Sequence, residues 1–320
     1  MEYIYGNGET ELTRYSDAAR TAEILADRLK EYGIRVQRDV PLSAHTTFRI
    51  GGNAAIGVFP TDAEQMIRVE RECGALGFPV FFIGNGSDIL ADDAGYPGCV
   101  IFTGGMKKTV FAENGEVTAD CGVSLTALAL DCCRRGLAGM AFAYGIPGSV
   151  GGAAVMNAGA YGGEMAQVVS SVTFFDRAAG KTVTVPAEDC AFGYRQSAFQ
   201  DGNRIVLSVT FSLALGDADA LLAEAEDYMK RRREKQPLEY PSAGSVFKRY
   251  PGFYTAQLID EAGFKGVSVG GAQVSEKHAG FIVNRGGATA EDVRTLVGRI
   301  QEKIYELHGI SIECEIRELK

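Results

Sequence analysis

The chain of 320 residues is 46% hydrophobic and 23% charged, an ordinary globular composition that excludes disordered and collagen-like proteins. Domains average ~100–150 residues, so two or three are expected. A net charge of −9 argues against a polyanion such as nucleic acid as the main partner.

The opening M-E-Y-I-Y-G-N-G-E-T has neither the basic start nor the apolar core of a signal peptide. No apolar run approaches the ~18 residues that cross a membrane, and a cytoplasmic protein without membrane contact is expected. Residues 17–32 carry the spacing of an amphipathic helix and Val36–Val40 reads as a strand, so residues 1–42 form an N-terminal extension. Thr61 and Glu64 are spaced as a capping box opening a helix with Met66, Val69, Cys73 and Leu76 on one stripe. Pro79–Ile83 reads as a buried strand, and Gly84-Asn85-Gly86-Ser87 as a turn at its carboxyl edge, where α/β units bind ligands.

From about Val100 the pattern becomes β-rich, with strands expected at 109–112, 116–121, 169–175, 182–185 and 204–213. A helix from Ser124 to Arg135 interrupts them and stops at Gly136. The next helix runs from Gly216 to about Lys235, before Pro237 and Pro241. Thr289-x-x-Asp292 starts a last helix in which Val293, Leu296, Val297, Ile300, Ile304 and Leu307 follow the helical period. Ser311–Arg317 closes the chain as a strand, with Ile312, Cys314 and Ile316 on one face and Glu313, Glu315 and Arg317 on the other.

Seven cysteines, an odd number with Cys132 and Cys133 adjacent, form no disulfide framework and no redox spacing. The three histidines, His45, His278 and His308, are far apart, so no metal site is expected. Without a G-x-S-x-G elbow, a Ser-His-Asp hydrolase is also disfavoured. The basic run Lys230–Lys235 reads either as the wet end of a helix or as a local basic patch.

The most informative segment is G-I-P-G-S-V-G-G-A-A-V-M-N-A-G-A-Y-G-G, residues 145–163, which holds no charged side chain. Glycine at this density lets another backbone or a ligand come close. Neither this run nor Gly84–Ser87 matches a dinucleotide fingerprint or a P-loop. Each alone is explained as a tight strand connection. Together with Asn157-Ala158-Gly159-Ala160-Tyr161 they form a bed for a flat cofactor with a diphosphate, held by backbone amides and a stacking tyrosine. Three other patterns carry reactive groups. Arg195 in G-Y-R-Q-S is either a surface arginine or a grip on a carboxylate or phosphate. Ser245 in S-A-G-S-V-F-K is either a turn serine or a fixed hydroxyl. Glu315 either faces water or, lining a cleft, acts as an acid.

Taken jointly, H-T-T-F-R-I-G-G (45–52), I-G-N-G-S-D-I-L (83–90), the 145–163 run, G-Y-R-Q-S (193–197), K-Q-P-L-E-Y-P-S-A-G-S-V-F-K (235–248) and E-C-E-I-R (313–317) resemble the UDP-N-acetylenolpyruvoylglucosamine reductase family, from about Ser43 to Arg317. The resemblance implies an α+β fold: a two-part FAD-binding domain of the vanillyl-alcohol-oxidase (PCMH) type, at 43–105 and 106–219, and a C-terminal α+β substrate domain at 220–320. It implies that Arg195, Ser245 and Glu315 are catalytic. FAD would lie on Gly84, Asn85, Gly86, Ser87, Asp88, Ile146, Pro147, Gly148, Ser149, Gly151, Gly152, Asn157, Gly159, Ala160 and Tyr161. Substrate would meet Tyr194, Lys235 and Gly244, with Lys235 at its diphosphate and Arg231–Arg233 in solvent. Asp88 departs from the family pattern, where asparagine is usual, and the chain resembles the shorter subtype that lacks a tyrosine-bearing loop.

The resemblance also implies two half-reactions at one site in a monomer: NADPH reduces FAD, and the enolpyruvyl ether of UDP-N-acetylglucosamine is then reduced to UDP-N-acetylmuramate for peptidoglycan synthesis. Arg195 and Glu315 would stabilise the charge that builds on the substrate carboxylate, and Ser245 would protonate the α-carbon. Two alternatives stand beside this reading. One is another FAD-dependent oxidase or dehydrogenase of the same superfamily, for which His45 is the nearest candidate tether. The other is a non-catalytic flavin or sugar-nucleotide binding protein.

Overall fold

A computed structural model describes residues 11–250 and 252–320, with side chains described from Ser16 onward; the opening ten residues lie outside it. Helix α1 (Glu11–Lys30) begins earlier than its periodicity indicates and buries Ala22, Leu25 and Leu29 against the first sheet. That sheet has the order β1-β2-β5-β3: β1 (Arg35–Pro41) runs antiparallel to β2 (Asn53–Phe59), while β3 (Val80–Ile83) and β2 both flank β5 (Tyr96–Phe102) in parallel. Helix α2 (Ala63–Leu76) joins β2 to β3 and turns Met66, Val69 and Cys73 inward. Its cap is Asp62, whose carboxylate accepts the Gln65 N–H at 2.8 Å, rather than Thr61. The Thr61 N–H instead donates to the Gln65 side chain at 3.0 Å, so the cap sits one residue later than the Thr61/Glu64 spacing indicates while the return bond stays on Thr61.

The short strand β4 (Ile89–Ala91) follows the glycine turn after β3. Next comes a five-stranded antiparallel sheet in the order β12-β11-β13-β7-β6. It comprises β6 (Thr109–Phe111), β7 (Glu116–Asp120), β11 (Val169–Asp176), β12 (Lys181–Pro186) and β13 (Arg204–Ser212), close to the expected segments. Helix α3 (Leu125–Arg134) is capped by Ser124, and the chain turns out of it through Gly136 at φ +68. Two-residue strands complete this part: β8 (Leu137–Ala138) pairs β14 (Ala214–Leu215), and β9 (Gly159–Ala160) pairs β10 (Gly163–Glu164). Inside the glycine run lies a helix that glycine's low propensity conceals: α4 (Val150–Met156), capped by Ser149, packs beneath β13. One continuous apolar cluster joins this sheet, α1 to α4 and the first sheet.

The C-terminal part is separate in its packing. After α5 (Ala218–Lys235), a second four-stranded sheet, of order β15-β18-β17-β16, is formed by β15 (Ser242–Ser245), β16 (Ser268–Val269), β17 (Ala272–Val274) and β18 (Phe281–Asn284), with α6 (Thr255–Glu261) inserted after β15. Helix α7 (Ala290–His308) covers it, opening with the Thr289/Asp292 capping box and burying Val293, Leu296, Ile300 and Ile304; Leu307 is exposed. Phe48, Ile50 and Leu90 from the N-terminal half enter this second cluster and bind the two parts together. The closing segment is not a regular strand over 311–317. Cys314 bridges Phe247 alone, and only β19 (Arg317–Leu319) pairs, in parallel with β4. The alternation persists, since Ile312 and Ile316 are buried, but the segment is threaded between the C-terminal sheet and β4 and has too few neighbours on either side to extend a sheet.

Candidate active site

Between these parts lies a cavity of about 1420 Å³. Its floor is the turn 84–88 and the run 145–162. Two glycines there are required by their surroundings. A Cβ on Gly84 would fall 2.1 Å from Ser149 Oγ, and one on Gly86, at φ +62, would fall 2.2 Å from the His45 carbonyl oxygen. Gly148 is different: a Cβ there would meet nothing nearer than Ser87 Oγ at 3.9 Å and would project into open space. The two segments are clamped by Asn85, whose side-chain amide donates to the carbonyls of Pro147 and Gly148, each at 2.9 Å.

The donors of this floor are fewer than the glycine content indicates. The N–H groups of Val150, Gly151 and Gly152 are used inside the protein, by Val123 O, Cys121 O and Ser149 Oγ. Among the described residues, those of Gly86, Ser87 and Gly148 meet no protein acceptor. Ile146, Pro147, Ser149, Gly159 and Ala160 line the cavity as well. Asn157 does not. It is fully buried, donates to Gly193 O at 2.9 Å and accepts from Ala166 N at 2.9 Å, so both ends of its amide hold loops together and none reaches a cofactor. Tyr161 does line the cavity, but its ring is stacked on Tyr228 of α5 at 4.6 Å, leaving one face for a ligand.

The three reactive groups converge on this space. Arg195 sits in a tight turn closed by hydrogen bonds between Gly193 and Gln196, at φ +55, a backbone region that arginine seldom adopts. Its Nε donates to Glu315 Oε1 at 2.5 Å, its Nη2 reaches Gly159 O at 3.4 Å, and its guanidinium lies 5.0 Å from the centre of the Tyr194 ring. Glu315 is set in place by its own N–H, which donates to Val246 O at 2.7 Å, one residue past Ser245. Ser245 ends β15, half-buried on the cavity wall. Tyr194, Lys235 and Gly244 also line the cavity; the Tyr194 hydroxyl accepts the Arg249 N–H at 3.1 Å.

Two features go beyond the sequence reading. Arg232, expected in solvent with its basic neighbours, is only 8% exposed. It lies against Gly145 and over the Tyr161 ring at 5.8 Å, with Nη1 bonded to Gln236 and Nε buried without a partner among the described residues. Burial disfavours its charged form, which an anion in the cavity would offset. Only its helical register, one turn before Lys235, separates it from Arg231 and Arg233, which face out. The second is Asp88, whose Oδ2 is buried without a donor. Burial, and then the charge of Glu315, push its carboxyl up to about 7, against the pull of Arg317 and Arg195.

Unclaimed amides, a glycine opening onto empty space, a buried arginine without full partners and a volume above the ~300–1,000 Å³ of usual ligand pockets fit a large anionic cofactor with room for a second molecule. The two-part sheet arrangement around a glycine floor, with a separate α+β cover, is that of flavoproteins with an FAD-binding domain of the PCMH type. In agreement, the FAD binding domain profile matches residues 54–186. The profile of the UDP-N-acetylenolpyruvoylglucosamine reductase C-terminal domain matches residues 236–319.

The chain is 41% identical to UDP-N-acetylenolpyruvoylglucosamine reductase of Clostridium novyi over 282 residues, 88% of this chain and 91% of that one. It is 44% identical to the enzyme of the same name from Caldicellulosiruptor bescii, over 90% of this chain and 92% of that one. The crystal structure of UDP-N-acetylenolpyruvylglucosamine reductase from Thermus caldophilus superposes with a TM-score of 0.77 at 35% identity, covering 90% of this chain and all of that one. The chain belongs to the UDP-N-acetylenolpyruvoylglucosamine reductase family, FAD-dependent oxidoreductases.

Proposed function

We propose that this protein reduces the enolpyruvyl ether of UDP-N-acetylglucosamine to UDP-N-acetylmuramate with NADPH as electron donor, a step of peptidoglycan synthesis, and that Arg195, Ser245 and Glu315 carry the chemistry. The observation that bears most weight is the Arg195–Glu315 pair at 2.5 Å, fixed in the same cavity wall as Ser245. Bound FAD supplies a carrier for hydride between the nicotinamide and the β-carbon of the enol ether. Everything else falls to side chains. Arg195, held at an uncommon backbone angle, presents a guanidinium to the substrate carboxylate as negative charge grows on it. Glu315 orients that guanidinium through the ion pair with its Nε. Ser245 delivers a proton to the α-carbon, which a basic enediolate makes feasible for a hydroxyl.

In this reading residues 43–105 and 106–219 hold the cofactor and 220–320 receive the nucleotide sugar. Lys235 at the end of α5 and the buried Arg232 supply positive charge for its diphosphate, and Tyr194 and Gly244 flank it. The protein works as a cytoplasmic monomer on small molecules. The net charge of −9 supports partners other than nucleic acid. Among the described residues no helix is long and apolar enough to cross a membrane.

Stopped-flow separation of the half-reactions tests the assignment. Ser245→Ala should leave flavin reduction by NADPH within about twofold, while reoxidation by the enolpyruvyl substrate slows by roughly a hundred- to ten-thousand-fold. An equal loss in both halves would remove Ser245 from the chemistry.

A further inference from the structure

Asp88 is held where a carboxylate is poorly placed. It follows the glycine turn, and its backbone carbonyl accepts the Arg317 N–H at 2.9 Å, pinning it between β4 and β19. It lines the cofactor cavity, yet among the described residues its Oδ2 meets no donor and it forms no ion pair. The charged groups that act on it are Glu315 from the closing segment, Arg317 on β19 and Arg195 from the 193–197 turn. Arg195 is already committed to Glu315 and to the Gly159 carbonyl. A group so placed has two stable solutions, a cation beside it or a proton on it. A bound diphosphate adds negative charge to the same cavity and favours the proton.

We propose that Asp88 serves FAD as a neutral carboxylic acid, so that the protein takes up a proton as it binds the cofactor and holds it more weakly as pH rises. This rests on the assignment of the cavity to FAD. As an acid, Asp88 has one O–H donor and an acceptor oxygen, the same pair that an amide offers. Ionised, it can only accept, and it repels the phosphates. Before the cofactor binds, burial and the Glu315 charge already bring the carboxyl up to about 7. The direction follows: below that value the acid is present and affinity is flat, and above it affinity falls as the neutral fraction falls. His45 and His278 also line the cavity, and burial holds both below the usual imidazole value, on the acid side of Asp88.

The test uses FAD dissociation from the diluted holoenzyme, read by recovery of flavin fluorescence. Between about pH 6 and about pH 8 the neutral fraction drops from about 0.9 to about 0.1, so Kd should rise roughly tenfold. Asp88→Asn should keep FAD and change by less than about twofold over the same range. An indicator dye in weak buffer at about pH 8 should report close to one proton taken up per FAD by the unaltered protein, a measurement that needs no variant. The same Kd at both pH values in the unaltered protein, or a tenfold dependence that persists in Asp88→Asn, would overturn the proposal. Failure to bind FAD at any pH would overturn the cofactor assignment instead.

Discussion

The floor and the wall of the cavity are made of different material. Segments 84–88 and 145–162 present backbone and small side chains, with no atom to spare at Gly84 or Gly86, whereas 193–197, 242–248 and 311–317 present a guanidinium, a hydroxyl and a carboxylate on segments that otherwise serve the fold. A surface of backbone is specified by what is missing at each position, so any added carbon is felt. A surface of side chains is specified by what it carries, and its supporting core is free to vary. The two also differ in their foundations, since the 145–162 part of the floor rests on the large apolar cluster, the 84–88 turn lies between Ile83 and Ile89 of a smaller one, and Ser245 and Glu315 adjoin the C-terminal one.

The comparison is open to attack at three levels. The largest effect is expected from Gly86→Val, which must place carbon 2.2 Å from the His45 carbonyl at a positive φ. The ratio of flavin to protein absorbance in the purified variant should fall about tenfold or more, and a normal ratio would show that the floor tolerates bulk. Next is Leu296→Ala in the buried stripe of α7, expected to cost ~2–5 kcal/mol in denaturant unfolding while the flavin spectrum stays unchanged. Loss of flavin from the folded variant would show that the two foundations are not independent. The smallest is Thr289→Ala, which removes half of the capping box of α7 and should cost ~0.5–2 kcal/mol. The other half is sensitive to pH. Hydrogen bonds from the Thr289 and Gly271 backbones hold the Asp292 carboxyl below its ordinary 3.8, so its contribution is complete above that value and is lost as pH falls through the lower folded one. An acid unfolding profile of Asp292→Asn that is flatter than that of the unaltered protein would show it.

Much of this was legible before the fold was known. The α7 stripe, the Ser124 cap, the Gly136 stop and the strands of the five-stranded sheet are local patterns, and they fall close to where their spacing puts them. The misreadings have a common origin. Helix α4 was concealed because glycine favours no helix, and burial of Val150, Ala153 and Ala154 overrides that preference. Asp62 replaced Thr61 as a cap, a choice between two adjacent residues that both qualify. The glycine-rich context of Asn157 points it at the cofactor, but Gly193 and Ala166, far along the chain and nine residues on, claim its amide. Arg232 sits in a basic run that by composition faces water, and it is buried because Gly145 leaves space for it.

By itself, then, the sequence determined where the backbone had to come close to something, most of the helices and strands away from the glycine run and the closing segment, and which residue types were present for the reaction. Periodicity and glycine placement act over a few residues, and a chain read in order contains them. Tertiary structure alone decided that Arg195 meets Glu315 across 120 residues, that Arg232 turns inward among basic neighbours that do not, and that Asp88 is left in the cofactor cavity without a donor. The reach and the charge of a polar side chain are set by neighbours that distant segments supply, and those neighbours exist only once the chain has folded.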